Sequence, residues 1–292
     1  MPYKNSNHKI QNRLLIFITL FFITYALKAQ ITHPKASPPS KVEQEVGLSK
    51  ITIDYSRPSV KGRKIFGDLV PYGRIWRVGA NASTKITIDS EATINGNTLK
   101  EGTYAIYAFP EVGEWEIVFH SNIDHWGDGR KAYDSKEDAF RIKVRPEEIP
   151  YLQENFLISF DDVTHDSVTM QLLWEHTKIN IPISFDTDEL MQEEILKKLA
   201  ENPTAQTYYE SARYLQEQGR DYRTALGYLN KAIELGGDTY YFHRVKSLVE
   251  AELKEYTSAI NSAKKSMELA NAQDKDEFVR LNQKNIEEWK TR

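Results

Sequence analysis

The chain has 292 residues, 40% of them hydrophobic and 27% charged, which is enough for two ordinary globular domains. Its formal net charge of −4, without a long basic run, argues against nucleic acid as a partner. The sequence contains no cysteine, which excludes a thiol nucleophile, a thiolate metal site and a disulfide framework.

The amino terminus has the pattern of an export signal. An almost wholly apolar run, Leu14 to Leu27, follows a positively charged segment and precedes the small residue Ala29. The run is shorter than the roughly 20 residues that span a bilayer, although a retained anchor stays open as an alternative. We therefore predict a signal peptide over residues 1–29 and a mature chain in the periplasm, on the outer cell surface or outside the cell, without a transmembrane span. Residues 30–41, rich in proline and serine, are predicted to form a linker.

Residues 42–185 alternate apolar and polar side chains with the period of a β-strand. Asn95-Gly96 between two short apolar runs predicts a hairpin, because both residues tolerate positive φ. Pro182 indicates that the last strand lies at a sheet edge. Eight or nine short strands separated by turn signals favour an all-β antiparallel sandwich over a closed barrel.

In residues 186–292 the apolar side chains recur with the spacing of an α-helix. Asp186 or Thr187 can cap a first helix that Asn202-Pro203 ends. DYRTALGYLNKAIEL recurs as EYTSAINSAKKSMEL about 34 residues later, which is the period of tetratricopeptide repeats. This indicates a small all-α, tetratricopeptide-like (TPR-like) domain, which either binds a peptide or protein partner or only braces the sandwich.

The stretch from Tyr55 to Thr84 follows neither the strand nor the helix period, so we expect a structured excursion between two strands. A guanidinium there can bind a carboxylate or phosphate, and an amide suits a sugar hydroxyl. A small polar or anionic ligand, such as a glycan, is the predicted occupant. The alternative places the tryptophan in the core, pairs one arginine with a buried acid and uses the asparagine to cap a turn. The candidate ligand-binding residues are Arg57, Lys61, Arg63, Trp76, Arg77 and Asn81.

A second candidate group lies in one short segment. His120, Asp124 and His125, with Asp128 nearby, could act as acid–base residues or hold a divalent ion. No second cluster of ligand residues supports a metal, and a plain loop is the competing interpretation. We therefore assign no metal, no other cofactor and no catalytic residue from the sequence.

Several separated motifs together resemble a known family. The runs DYSRPSVKGRKIFGDLVPYGRIWRVGANASTKI, EGTYAIYAFP and HWGDGRKAYDSKEDAFRIKV occur in its expected order over roughly residues 37–185. The family is the uncharacterised domain of unknown function twenty-nine-eleven, found in exported bacterial proteins. The resemblance implies that the protein is exported and that one domain covers roughly these residues. It implies no established activity.

Familiar catalytic motifs are missing from the sequence. It has no Gly-x-Ser-x-Gly elbow, no His-Glu-x-x-His and no Walker loop. The leading hypothesis is an exported, non-catalytic protein whose sandwich binds a ligand and whose helical repeats bind a partner. The alternative is a hydrolase acting on an envelope polymer or glycan, with His120 or His125 as the acid–base residue and Arg77 holding an anionic group.

Overall fold

The computed structural model describes residues 33–125 and 132–292. The chain divides into two compact units, the first ending at Phe185 and the second covering Asp186–Arg292. The predicted signal peptide lies outside the described residues, as does the segment 126–131 with Asp128. None of the helices in the described ranges is both long and apolar enough to cross a membrane.

The first unit is an antiparallel sandwich of two sheets that do not close into a barrel, as predicted. One sheet has six strands in the order β1-β2-β3-β6-β7-β8, and the other has four in the order β5-β4-β10-β9. The strands are β1 (Pro39–Val46), β2 (Ser49–Ser56), β3 (Thr84–Ile88), β4 (Ala92–Ile94), β5 (Asn97–Leu99), β6 (Gly102–Phe109), β7 (Trp115–His120), β8 (Asp138–Val144), β9 (Glu147–Asp161) and β10 (Ser167–Phe185), with a 3₁₀ turn at Ser135–Glu137 before β8.

Alternation along the strands builds one core between the two sheets. Ile117 and Phe119 of β7 point inward and are fully buried, and Phe156 and Met170 reach the same core from the opposite sheet. Each such side chain contributes about 1.5–3 kcal/mol through the apolar surface it removes from water. The predicted hairpin is present between β4 and β5, with positive φ at Asn95 and Gly96.

The first strand begins earlier than the sequence indicates. Pro39 opens β1 and pairs with Ser56, so residues 39–41 belong to the sheet and not to the predicted linker. Proline is tolerated there because β1 is an edge strand and Pro39 is its first residue. The segment is rich in proline and serine, a composition typical of linkers, and therefore its pairing with β2 was not predicted from the sequence.

The alternating apolar residues at 168–174, which include Trp174, and at 179–183 predict two separate strands, but the structure joins both stretches in the single strand β10 of 19 residues. The polar residues between their apolar stretches suggest a turn, but β10 continues through bulges on either side of Glu175, whose φ is +56°. The edge prediction from Pro182 is wrong for the strand, because β10 lies between β4 and β9. Pairing with β9 extends only to Lys178, so Pro182 itself faces no β9 partner.

The predicted excursion runs from Arg57 to Ser83 between β2 and β3. It first crosses to the four-stranded sheet, where Ser59 forms an antiparallel bridge with Asn155. It returns to the six-stranded sheet, where Trp76 and Ala108 exchange backbone hydrogen bonds of 2.7 and 2.8 Å. The excursion therefore lies across both sheets and is anchored to each.

The second unit consists of six helices among the described residues. Asp186 caps the first helix through a hydrogen bond to the amide of Glu189, as the sequence predicts. The helices are α1 (Thr187–Ala200), α2 (Ala205–Glu217), α3 (Tyr222–Glu234), α4 (Tyr240–Glu252), α5 (Tyr256–Asn271) and α6 (Asp276–Trp289). Helices α2, α3 and α4 share one apolar cluster, and α5 and α6 form another. This arrangement is consistent with a helical repeat domain.

Candidate functional site

The excursion forms one wall of a cavity of about 330 Å³ in the first unit. Pro58, Pro71, Ile75 and Ala80 give this cavity an apolar lining, and Trp174 of β10 contributes from the four-stranded sheet. The volume lies at the lower end of the range for small-molecule sites. It suits a ligand of about the size of a substituted monosaccharide.

Three of the predicted binding cations line this cavity, namely Lys61, Arg63 and Arg77. Arg63 donates from Nε to the Val60 carbonyl at 2.9 Å and from one terminal nitrogen to the Ser59 carbonyl at 2.5 Å. Its guanidinium is thereby held in place at the wall. Among the described residues that line the cavity there is no acidic side chain, so the lining is cationic.

Trp76 lines the cavity but is mainly a core residue, with only 8% of its surface exposed. Its indole N–H donates to the Gly79 carbonyl at 3.2 Å, and its ring contacts Phe66 and Trp115 edge to face. Trp174 is 2% exposed, and its indole N–H has no hydrogen-bond partner in the described part of the chain. A buried donor without an acceptor is rare in a native core.

Arg57 and Asn81 do not line this cavity. Arg57 donates to the Phe156 carbonyl of β9 at 3.0 Å. Asn81 donates at 3.1 Å to the Ser37 carbonyl and to Ser56 Oγ, which ties the segment before β1 to the end of β2. Both residues fasten the excursion to its surroundings, and Asn81 faces a separate, open hollow.

The second candidate group lies on the outer face of the six-stranded sheet, opposite the sandwich core. His120, at the end of β7, is fully buried, and its Nδ1 lies 3.0 Å from an oxygen of Asp138. His125 Nδ1 lies 3.3 Å from the hydroxyl of Tyr107. Burial raises the pKa of the Tyr107 phenol, a change that a hydrogen bond with Ser83 opposes. The two imidazole ring centroids are 5.4 Å apart.

Asp138 is the centre of the polar contacts around His120. Tyr133 donates its hydroxyl hydrogen to both carboxylate oxygens of Asp138, at 2.8 and 2.7 Å, and Arg141 Nε donates at 2.8 Å. Burial and the hydrogen bond to Asp138 both raise the pKa of Tyr133 well above its usual value. The carboxylate is therefore surrounded by donors, and one of its oxygens lies beside the imidazole.

The structure adds Glu137 and Asp138 to this group, and the sequence analysis did not single out either residue. Asp138 pairs with His120 in the β7–β8 register because a bulge follows the Phe119–Phe140 pair. Asp124 is exposed, and its backbone amide donates to Asn122. The only signal in the sequence was that Asp138 lies two residues before Phe140, the first of the alternating apolar residues Phe140, Ile142 and Val144.

These features define a two-sheet antiparallel sandwich with a cationic, tryptophan-lined cavity and a separate buried histidine group, followed by a helical unit. The chain belongs to the family described as Protein of unknown function (DUF2911), whose profile matches residues 37–183, half of the chain. No curated protein and no solved structure matches the chain.

Proposed function

We propose that the sandwich of this DUF2911 protein binds a small anionic ligand, such as a sugar that carries a carboxylate or phosphate, without transforming it. The observation that supports this is the cavity beside the excursion, where Lys61, Arg63 and Arg77 line a wall without an acidic side chain among its described residues. Guanidinium and ammonium groups recognise carboxylate and phosphate oxygens, and the apolar lining accommodates a sugar face.

Calorimetric titration of the full chain with galacturonate, galactose 1-phosphate and neutral galactose tests this proposal. We expect both anionic sugars to bind and galactose to bind at least about tenfold more weakly, which corresponds to about 1.4 kcal/mol. Any difference in affinity between the two anionic sugars shows whether the site prefers a carboxylate or a phosphate. Equal binding of all three sugars, or of none, contradicts the proposal.

Matched variants assign the binding to this cavity. Lys61→Gln removes an exposed cation at the wall, and Lys64→Gln removes another exposed cation of the same excursion, which does not line the cavity. We expect Lys61→Gln to weaken galacturonate binding about tenfold or more, because a hydrogen bond to a charged group contributes about 1.5–3 kcal/mol. Lys64→Gln leaves the affinity unchanged. Similar losses in both variants indicate long-range attraction and not a defined site.

We also propose that the protein is exported and cleaved after Ala29. The pattern of residues 1–29 supports this, because a positive segment, an apolar run and a small residue occur in the required order. Amino-terminal sequencing of the protein from the envelope of its native cells is expected to begin near Gln30. Protein that retains Met1 in the cytosolic fraction contradicts export.

The helical unit is proposed to be TPR-like and to bind a peptide or protein. Two similar helices, α3 and α5, begin at Tyr222 and Tyr256, and each follows a preceding helix across a short turn. A photo-reactive residue at exposed Arg213 of α2, compared with one at exposed Asn261 of α5, tests for a binding face. A partner that crosslinks from Arg213 and not from Asn261 supports the proposal, and equal labelling or none favours a bracing role.

The hydrolase alternative has one specific observation in its favour, which is the pairing of His120 Nδ1 with Asp138 at 3.0 Å. A carboxylate that orients an imidazole is a common arrangement in acid–base catalysis. The test is whether the wild-type protein turns over any member of a panel of glycans and peptides. If it does, and if His125→Ala loses this turnover but still binds galacturonate, the hydrolase alternative replaces the non-catalytic proposal.

A further inference from the structure

Three side chains of metal-ligand type converge on the outer face of the six-stranded sheet. His120 ends β7, His125 follows in the next loop, and Glu137 belongs to the 3₁₀ turn before β8. One potential ligand atom from each residue lies within 4.8 Å of the other two. These residues are separate from those that line the cationic cavity.

The contact between His120 and Glu137 places a buried ring nitrogen that lacks a hydrogen-bond partner among the described residues beside a carboxylate. His120 Nε2 lies 3.4 Å from Glu137 Oε2, yet this fully buried nitrogen has no hydrogen-bond partner among the described residues. In the tautomer in which Nδ1 donates to Asp138, Nε2 presents its lone pair to the Glu137 carboxylate. Two lone pairs at this distance repel each other unless a positive charge lies between them.

The separation of these two atoms fits a tetrahedral metal ion. Two ligand atoms at about 2.0–2.1 Å from zinc, at a tetrahedral angle, lie about 3.3 Å apart. The observed 3.4 Å between His120 Nε2 and Glu137 Oε2 is close to that value. A direct hydrogen bond would be shorter, at about 2.7–2.9 Å for a charged pair.

His120 and Glu137 both have hydrogen-bond partners of the kind that orient metal-binding side chains. Asp138 accepts from Nδ1 of His120, which directs Nε2 to the metal position. Asn122 donates to both carboxylate oxygens of Glu137 at 3.3 Å. A histidine that donates its second N–H to a carboxylate is the usual arrangement around protein-bound zinc.

We propose that His120, His125 and Glu137 bind one divalent transition-metal ion, with zinc as the best match to the donor set. Two imidazoles and one carboxylate favour zinc or its neighbours over magnesium and calcium, which prefer oxygen ligands. Three protein ligands leave a fourth tetrahedral position for water or a ligand. His120 and His125 were candidate metal ligands in the sequence, from which no metal was assigned.

Zinc titration of the full chain, after EDTA treatment and desalting, tests the proposal. We expect each chain to bind one zinc ion, tightly enough to compete with a chromophoric chelator of micromolar affinity. Replacement by cobalt is expected to give the visible absorption of a four-coordinate ion, a readout that does not depend on any activity. A wild-type chain that fails to compete with the chelator overturns the proposal.

Variants assign the ion to these residues. His125→Ala and the isosteric Glu137→Gln are each expected to weaken zinc binding more than tenfold, and Asp138→Asn about tenfold to a hundredfold through the orientation of His120. His176→Ala, which removes an exposed histidine outside the group, leaves binding unchanged. The Glu137 side chain is 40% exposed, so Glu137→Gln is expected to keep the wild-type circular dichroism spectrum without metal. Zinc binding equally tight in wild type, His125→Ala and Glu137→Gln overturns the proposal.

Discussion

The indoles of Trp76 and Trp174 stack in the core, with ring centroids 6.0 Å apart and planes inclined by 18°. Trp76 comes from the excursion and is bridged to Ala108 of the six-stranded sheet, whereas Trp174 belongs to β10 of the other sheet. The stack therefore holds the excursion between the two layers. Because both tryptophans also line the cavity, the shape of the cavity depends on the packing of the core.

Trp76→Ala is expected to destabilise the sandwich by about 3–5 kcal/mol, the usual cost of truncating a buried aromatic side chain. Urea denaturation followed by far-ultraviolet circular dichroism measures this change without relying on tryptophan fluorescence. Arg74→Ala, at an exposed position of the same excursion, is the control and is expected to cost less than about 0.5 kcal/mol. A loss below about 1 kcal/mol for Trp76→Ala would mean that the excursion does not contribute to the core.

The sequence predicted those parts of the fold that depend on periodicity. Alternating residues such as Ile51 and Ile53 identify strands, because the side chains of a strand point to alternate faces. Bulges interrupt that regular pattern without a reliable signal of their own, so β10 was predicted as two strands. The same limitation concealed Asp138, which a bulge in the β7–β8 pairing places opposite His120.

The candidate cavity was predictable only in part. The concentration of cations between β2 and β3 identified Lys61 and Arg77, which line it. Composition cannot distinguish a cation that faces a cavity from one that anchors a loop, as Arg57 does by bonding to the Phe156 carbonyl. Trp174 is distant in sequence and was expected only as a strand residue, since contact between the two sheets is a tertiary property.

Gly79→Ala is expected to destabilise the sandwich more than Gly62→Ala. Both glycines have positive φ, at +142° and +70°, but a Cβ at Gly79 would lie 3.0 Å from the Ser56 carbonyl oxygen. At Gly62 no heavy atom lies within 4 Å of that position. We expect about 1 kcal/mol for Gly62→Ala from backbone strain alone and about 2–3 kcal/mol for Gly79→Ala.

Thermal melts of the two glycine variants, followed by circular dichroism, provide the comparison. If both variants melt at the same temperature, the close approach of Gly79 to β2 is not a constraint on the fold. A larger loss in Gly62→Ala is equally incompatible with the steric argument.

Ala259→Leu is expected to destabilise the helical unit by about 1–3 kcal/mol, the typical cost of overpacking. Ala259 of α5 is fully buried and lies in the apolar cluster with Ile286 and Trp289 of α6. The neighbouring Ser258→Leu, at an exposed position of the same helix, is the control. Urea unfolding monitored at the helical circular dichroism band measures both. If Ala259→Leu is as stable as Ser258→Leu, close helix approach at this position is not required.

Glu250 of α4 makes the stability of the helical unit depend on pH. Glu250 is only 5% exposed, and burial raises the pKa of its carboxyl group. The hydrogen bond from Ser262 Oγ, at 2.6 Å, and the ammonium of Lys246, at 3.9 Å, act in the opposite direction and do not cancel the effect of burial. The folded unit therefore favours the neutral carboxyl group more than the unfolded chain does.

The sign of the pH dependence follows from this raised pKa. Below the unfolded pKa of about 4.3 the group is protonated in both states and imposes no penalty. As pH rises through the unfolded and then the folded pKa, ionisation increasingly favours the unfolded chain, and the penalty is complete above the folded pKa. Glu250 thus lowers the free energy of unfolding at neutral and alkaline pH and not at acidic pH.

Glu250→Gln is therefore expected to raise the melting temperature of the helical unit at pH 8 by a few degrees and to leave it almost unchanged at pH 4. The glutamine side chain is nearly isosteric, and its amide oxygen still accepts the hydrogen bond from Ser262. Glu252→Gln, an exposed position of the same helix, is the matched control and is expected to show no such pH dependence. Melting curves at the helical circular dichroism band across this pH range provide the measurement. A Glu250→Gln variant that is less stable than the wild type at pH 8 would show that the ion pair with Lys246 outweighs the cost of burying the carboxylate.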